Sequence, residues 1–141
     1  MIFVGIDPGV NTGFAVSENS VLACVDTVKA CEAEKMVLNI FSGADGKIIV
    51  HVEDARLRKW FGDIDERQRK HGAGVREGVG SVKRDSQRWH EFLSYHEIPH
   101  VLIAPKNNKT KMDAAQFSKL TGWKKRTSKH GRDAAMLVLG R

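Results

Sequence analysis

The apolar positions of this chain follow two rhythms, and the switches between them mark its elements. Ile2, Phe3, Val4 and Ile6 form a short run with strong strand preference, interrupted only by Gly5. A run apolar on both faces predicts the central strand of a covered sheet. It stops at Asp7, where Pro8-Gly9 forces a turn. Gly13 then precedes a second apolar run, Phe14-Ala-Val16, as a hairpin partner requires. Strands are expected over 12–17 and 21–28 with a turn at 18–20, a three-stranded antiparallel meander. Over 30–41, Ala33, Met36, Val37 and Ile40 fall at helical spacing, with a stop at Gly43. A β-branched run over 47–54 follows and ends in paired acids, Glu53 and Asp54. A strand after a helix predicts a crossover and parallel pairing with an earlier strand.

Between about 55 and 80 neither rhythm holds. This stretch is rich in basic residues, among them Arg56, Arg58 and Lys59. It also has glycines at 62, 72, 74, 78 and 80 and the one adjacent aromatic pair, Trp60-Phe61. A long loop in a small domain is usually functional, and basic residues interleaved with aromatics suit nucleic acid. A short helix near 56–61 that buries both rings is the plainer alternative. Helical spacing resumes over 81–96 through Val82, Trp89, Phe92 and Leu93, and 100–104 reads as a further covered strand ended by Pro105. A basic polar loop over 106–111 leads to a short helix at 112–120 with Gly122 as its stop. The basic run 124–132 then enters a last helix carrying Asp133 in its first turn. The expected architecture is a single α/β domain spanning 1–141. Its mixed five-stranded sheet, the meander plus parallel strands, is flanked by helices.

Composition narrows the classes. At 141 residues, 41% hydrophobic and 28% charged, the chain supports one ordinary core. It has no apolar stretch of about 18 residues, so no membrane span is expected. The opening residues lack a basic-then-apolar leader, which predicts a cytoplasmic setting and reduced thiols. Cys24 and Cys31, seven apart, fit no zinc spacing and are expected as packing residues. Charge is unevenly spread. Residues 1–55 carry three lysines against eight acids, and residues 56–141 carry twenty Lys and Arg against nine. A basic half of this kind is the footprint of a polyanion, nucleic acid first.

Three acids share a reason to be noticed. Asp7 and Glu53 end strands that would be parallel neighbours, and ligand sites of α/β sheets lie at such carboxyl ends. Asp133 sits in the last helix, where His130, three residues earlier, shares its face. Carboxylates gathered without a cation raise one another's pKa, and a divalent ion relieves that. Oxygen donors without thiolates select Mg²⁺ or Mn²⁺ over zinc. Two ions about 4 Å apart would suit phosphodiester hydrolysis. Taken singly, each acid is equally well a turn or helix-start residue.

Gly5-Ile-Asp-Pro-Gly9 with Asn11-Thr-Gly13, the strand ending in Glu53, and His130-Gly-Arg-Asp-Ala-Ala135 resemble the RuvC-type Holliday junction resolvases of the ribonuclease H-like superfamily. The resemblance follows the order of elements over nearly the whole chain. It implies a homodimer that nicks two strands of a four-way DNA junction, with Asp7 bridging two Mg²⁺ ions. Glu53, Asp133 and His130 would complete the metal shell, and Mn²⁺ is a substitute. It further implies phosphate contacts from Lys109 and Lys111 and a dimer interface on the helix over 81–96. The stretch after Glu53 is longer than in that family, and the junction-inserting aromatic is not at its usual place; Trp60 or Phe61 is the candidate. Lys106, Lys124, Lys125, Arg126, Lys129 and Arg132 join Arg56, Arg58 and Lys59 as expected DNA contacts. Asp54, by strand alternation, should point away from the site.

Three alternatives stay open on the sequence. One is a nuclease of the same fold for flaps or other branched DNA. Another is a non-catalytic junction-binding module. The third is an actin-like phosphate loop, which would need a second lobe. A nucleoid setting, in a bacterium or a phage-infected host, fits the first reading, and the sequence names no branch-migration partner.

Overall fold

Strand β1 (Ile2–Asp7) lies at the middle of the sheet in the computed structural model, as its two-sided apolar run predicts. It pairs antiparallel with β2 (Asn11–Glu18), which pairs antiparallel with β3 (Val21–Lys29). On its other side β1 runs parallel to β4 (Ile48–Glu53), and β4 parallel to β5 (His100–Ile103). The order is β3-β2-β1-β4-β5, a mixed five-stranded open sheet. The structure describes residues 1–58, 72–106 and 111–141, the side chains of 72–77 excepted. The meander and the parallel crossover stand as expected. Asn19 and Ser20 both take positive φ, 51° and 65°, between β2 and β3. That two-residue turn matches the twist of the strands it joins.

Period-two alternation divides the core between the two faces. Val4, Ile6, Phe14, Val50 and Val52 pack against Ala33 and Val37 of α1 (Ala30–Gly43) and Trp89 and Leu93 of α2 (Gly72–Tyr95). On the opposite face Ala15 meets Phe117 of α3 (Ala114–Thr121) and Ala134, Ala135 and Val138 of α4 (Lys129–Val138). Among the described residues these are the four α-helices, and none is long and apolar enough to cross a membrane.

Several boundaries differ from expectation. Residues 72–80, expected as loop, open α2, which was expected only from 81. Glycine in a helix costs about 1 kcal/mol relative to alanine, so a helix anchored by Trp89 and Leu93 propagates through Gly78 and Gly80. Residues 55–57 form a 3₁₀ turn, and Val82 is 46% exposed rather than packed. Helix α3 starts two residues later than expected because Asp113 and Gln116 form a reciprocal capping box. Helix α4 starts at Lys129, since the Ser128 hydroxyl accepts from the Gly131 N–H at 3.0 Å. Asp133 therefore lies in the second turn of α4, not the first. Both cysteines are free; Cys24 is half-buried, whereas Cys31, expected to pack, is exposed on α1.

Candidate active site

The site is built where β1 and β4 end. Their parallel register pairs Ile6 with Val52. Carried one residue on, it sets Asp7 beside Glu53 at the same rim. Alternation sends both side chains to the α4 face, because Ile6 and Val52 fill the core on the other. Asp54 points to the α2 side as expected. It is 1% exposed and bonded to the Arg56 guanidinium at 2.7 Å.

Helix α4 reaches this rim only because two strand positions lack a side chain. A Cβ on Gly5 would drive into the Ala134 carbonyl oxygen, and one on Gly13 into that of His130. Gly13 is the register partner of Asp7. The first turn of α4 thus crosses directly over β2 beside the acid. The preceding turn is held by the Thr12 hydroxyl, which donates to the Gly9 carbonyl at 2.7 Å.

Two side-chain pairs result. His130 Nδ1–H donates to Asp7 Oδ2 at 2.8 Å, across 123 positions of sequence. An ionised carboxylate only accepts, so the bonding hydrogen lies on Nδ1, and Nε2 is the ring nitrogen not engaged by Asp7. Asp7 is buried while the His130 side chain is 48% exposed, which leaves the ring open to solvent. Lys111 Nζ donates to Asp133 Oδ2 at 2.7 Å, both largely buried.

The electrostatics record a crowd of like charges. Burial above all pushes the Asp7 carboxyl up from its ordinary value; Asp133 adds to this, while the bond and charge of His130 and the charge of Lys111 oppose it. Glu53 is also raised, by burial first and then by Asp7, with Lys111 opposing and Asp133 reinforcing. Burial disfavours the charge on Lys111. Its bond to Asp133 and the fields of Asp133, Glu53 and Asp7 nevertheless carry its pKa upward. The three carboxylates thus act on one ammonium, a monovalent cation at the electrostatic centre of the cluster.

A divalent ion fits the chemistry of this donor set: three hard carboxylates and an imidazole around a point already favourable to positive charge. As they stand, though, no three His, Cys, Asp or Glu groups among the described residues are grouped to hold a metal. Lys111 engages Asp133 through Oδ2 and His130 engages Asp7 through Oδ2, which leaves each acid its other oxygen for an ion.

The expected DNA contacts divide. Arg58, Lys106, Lys124, Lys125, Arg126 and Lys129 present exposed side chains. Arg56 is bound up with Asp54. Arg132 donates from Nε to the Met112 carbonyl at 3.1 Å, and from Nη1 to the Thr127 carbonyl and hydroxyl at 3.0 and 3.2 Å. It is a clamp between two segments, a role the basic run around it concealed. Lys111 lies within the acid cluster, which spacing alone did not reveal. Lys59, Trp60, Phe61 and Lys109 lie outside the described residues. No known family model and no curated protein matches the sequence.

Proposed function

We propose that this protein is a metal-dependent endonuclease of branched DNA, with a ribonuclease H-like fold, acting on four-way junctions in the manner of the RuvC-type resolvases it resembles. The observation that carries this reading is the convergence of Asp7, Glu53 and Asp133 with His130 at one rim, from residues up to 126 positions apart. Buried carboxylates that raise one another's pKa are unfavourable to folding, and functional sites are where such clusters occur. The strongly basic remainder of the chain supplies the polyanion-binding surface that a DNA substrate needs.

Asp7, Glu53, Asp133 and His130 would hold Mg²⁺, as one or two ions. The ion would supply Lewis-acid stabilisation of a phosphodiester and an activated water. Asp7 orients the His130 ring through Nδ1, which leaves Nε2 as the nitrogen that would face the ion. Lys111 favours the ionised forms of Asp7 and Glu53 and, once released from Asp133, presents an ammonium to a phosphate oxygen. A homodimer over the exposed part of α2 would place two such sites for paired nicks. Flaps and other branched DNA remain in the substrate class under test.

One observation favours a second reading. An ammonium already pairs with one acid of the cluster, as in a DNA-binding module whose acids hold no metal. The discriminating experiment is a Mg²⁺-dependent nicking assay on a synthetic four-way junction, run beside flap and duplex substrates, with Mg²⁺ calorimetry on the same protein. Junction nicking by the native sequence and its loss in Asp7→Asn is the expected result. No heat of Mg²⁺ binding, with junction binding intact, establishes the second reading.

A further inference from the structure

We propose that a groove between the start of α3 and the 123–127 segment is a binding site for a phosphodiester strand, separate from the acid cluster. The inference rests on the nucleic-acid reading above and names where one strand lies. The groove encloses about 530 Å³, within the usual range of ligand clefts of about 300–1,000 Å³. Its cationic wall is Lys124, Lys125 and Arg126, all exposed, and among the described residues no carboxylate lines it. Trp123 forms its aromatic part, with Lys125 Nζ 6.0 Å from the ring centroid. The Trp123 indole Nε1 is buried and finds no acceptor among the described residues.

The wall is built rather than incidental. Gly122, in the left-handed conformation at φ 73°, ends α3 and turns the chain back along it. The Trp123 N–H then bonds to the Thr121 hydroxyl at 3.1 Å. The Arg132 clamp fixes Thr127 to the chain entering α3, and the Ser128 hydroxyl bonds that of Thr27 on β3. Arg126 and Thr127 also line the adjoining cleft against Val25 and Asp26, so the two share a wall. That wall ends at Ser128, two residues before His130. A strand laid along Lys124–Lys125–Arg126 would therefore be led toward the acid rim. Cations fixed on an ordered segment beside an aromatic suit a sugar-phosphate chain better than a compact anion, since successive charges meet successive phosphates. Unpaired strand and duplex arm share this chemistry.

The test uses full-length Asp7→Asn protein and three labelled probes: a single strand, a duplex and a four-way junction. Affinity is read by anisotropy across a salt series. Removing Lys124, Lys125 and Arg126 together by alanine should weaken binding about tenfold or more and reduce the salt slope by about 2 to 3. A control that removes Lys35, Lys47 and Lys119 should change the slope by less than about 1. Equal slopes in the two triple variants overturn the groove. Trp123 emission gives an independent reading should the variant misfold. DNA should shift the emission of the parent protein, with the shift lost in Trp123→Phe; an unchanged shift overturns the proposal, as does equal displacement by an acidic polypeptide. Which probe depends most on the three cations identifies the strand's source. If the native sequence nicks junctions but the groove variant binds normally, the groove fails and the nuclease stands. If the groove variant loses binding and the native sequence never nicks, the reverse holds.

Discussion

Lys111 Nζ and Asp133 Oδ2 stand 2.7 Å apart, the ammonium drawn into the cluster that also contains Asp7 and Glu53. A partly buried pair of this kind is worth little as a pair but costs a good deal to break from one side. Lys111→Met should destabilise the metal-free protein by about 1–3 kcal/mol. Millimolar Mg²⁺ should restore part of the loss by replacing the missing charge. Thermal unfolding with and without Mg²⁺ checks this. An identical midpoint in both conditions removes the metal from the account.

Asp7 and Glu53 have carboxyls raised by burial first and like charge second, so the native state binds their protons more tightly than the unfolded chain does. For a raised acid the sign is reversed from the usual carboxylate. Stability falls as pH rises through the ordinary carboxylate range toward the folded values, and is regained on acidification. Asp7→Asn and Glu53→Gln should each stabilise the protein by about 1 kcal/mol while abolishing nicking, the trade-off expected of a strained site. Unfolding midpoints lower than the parent's at pH 7 would contradict the electrostatic account.

Asp54 shows the opposite sign. Burial would raise it, but its bonds from Arg56 prevail and hold it below its ordinary value of 3.8. Its contribution is complete at pH values above 3.8 and is lost as pH falls through the depressed folded value. Arg56→Ala leaves a carboxylate 1% exposed without its partner and should cost on the order of 2 kcal/mol. Because the guanidinium is engaged, DNA affinity should change far less than stability. Chemical denaturation and anisotropy on one preparation separate the two.

Glycines divide by what lies above them. Gly5→Ala and Gly13→Ala each push a methyl into a carbonyl of α4 and should destabilise by about 1–3 kcal/mol or more. Both should also displace His130 from Asp7. Gly78→Ala and Gly80→Ala meet nothing within 4 Å among the described residues and should stabilise α2 by about 0.5–1 kcal/mol each. Urea unfolding of the four variants reads the contrast directly.

The sheet was legible because strand rhythm is local. The run Ile2–Ile6, the hairpin after Asp-Pro-Gly and the β-branched segment before Glu53 announce three central strands, and chain chirality supplies the parallel crossover. The same logic placed Asp7 and Glu53 at one rim and turned Asp54 away. Helix starts were less legible. Glycine-rich 72–80 reads as loop because propensity is a local quantity, whereas Trp89 and Leu93 stabilise the helix from a distance. By itself the sequence determined which residues were chemically capable and which strand edge they shared, since alternation and register need only neighbours. Which donor faces which acid, with Lys111 on Asp133 and His130 on Asp7, was decided by the tertiary structure alone. So was the conversion of Arg132 from a free charge into a clamp. These pairings depend on how closely α4 can lie on two glycines, a fit among segments far apart in the chain that no local pattern encodes.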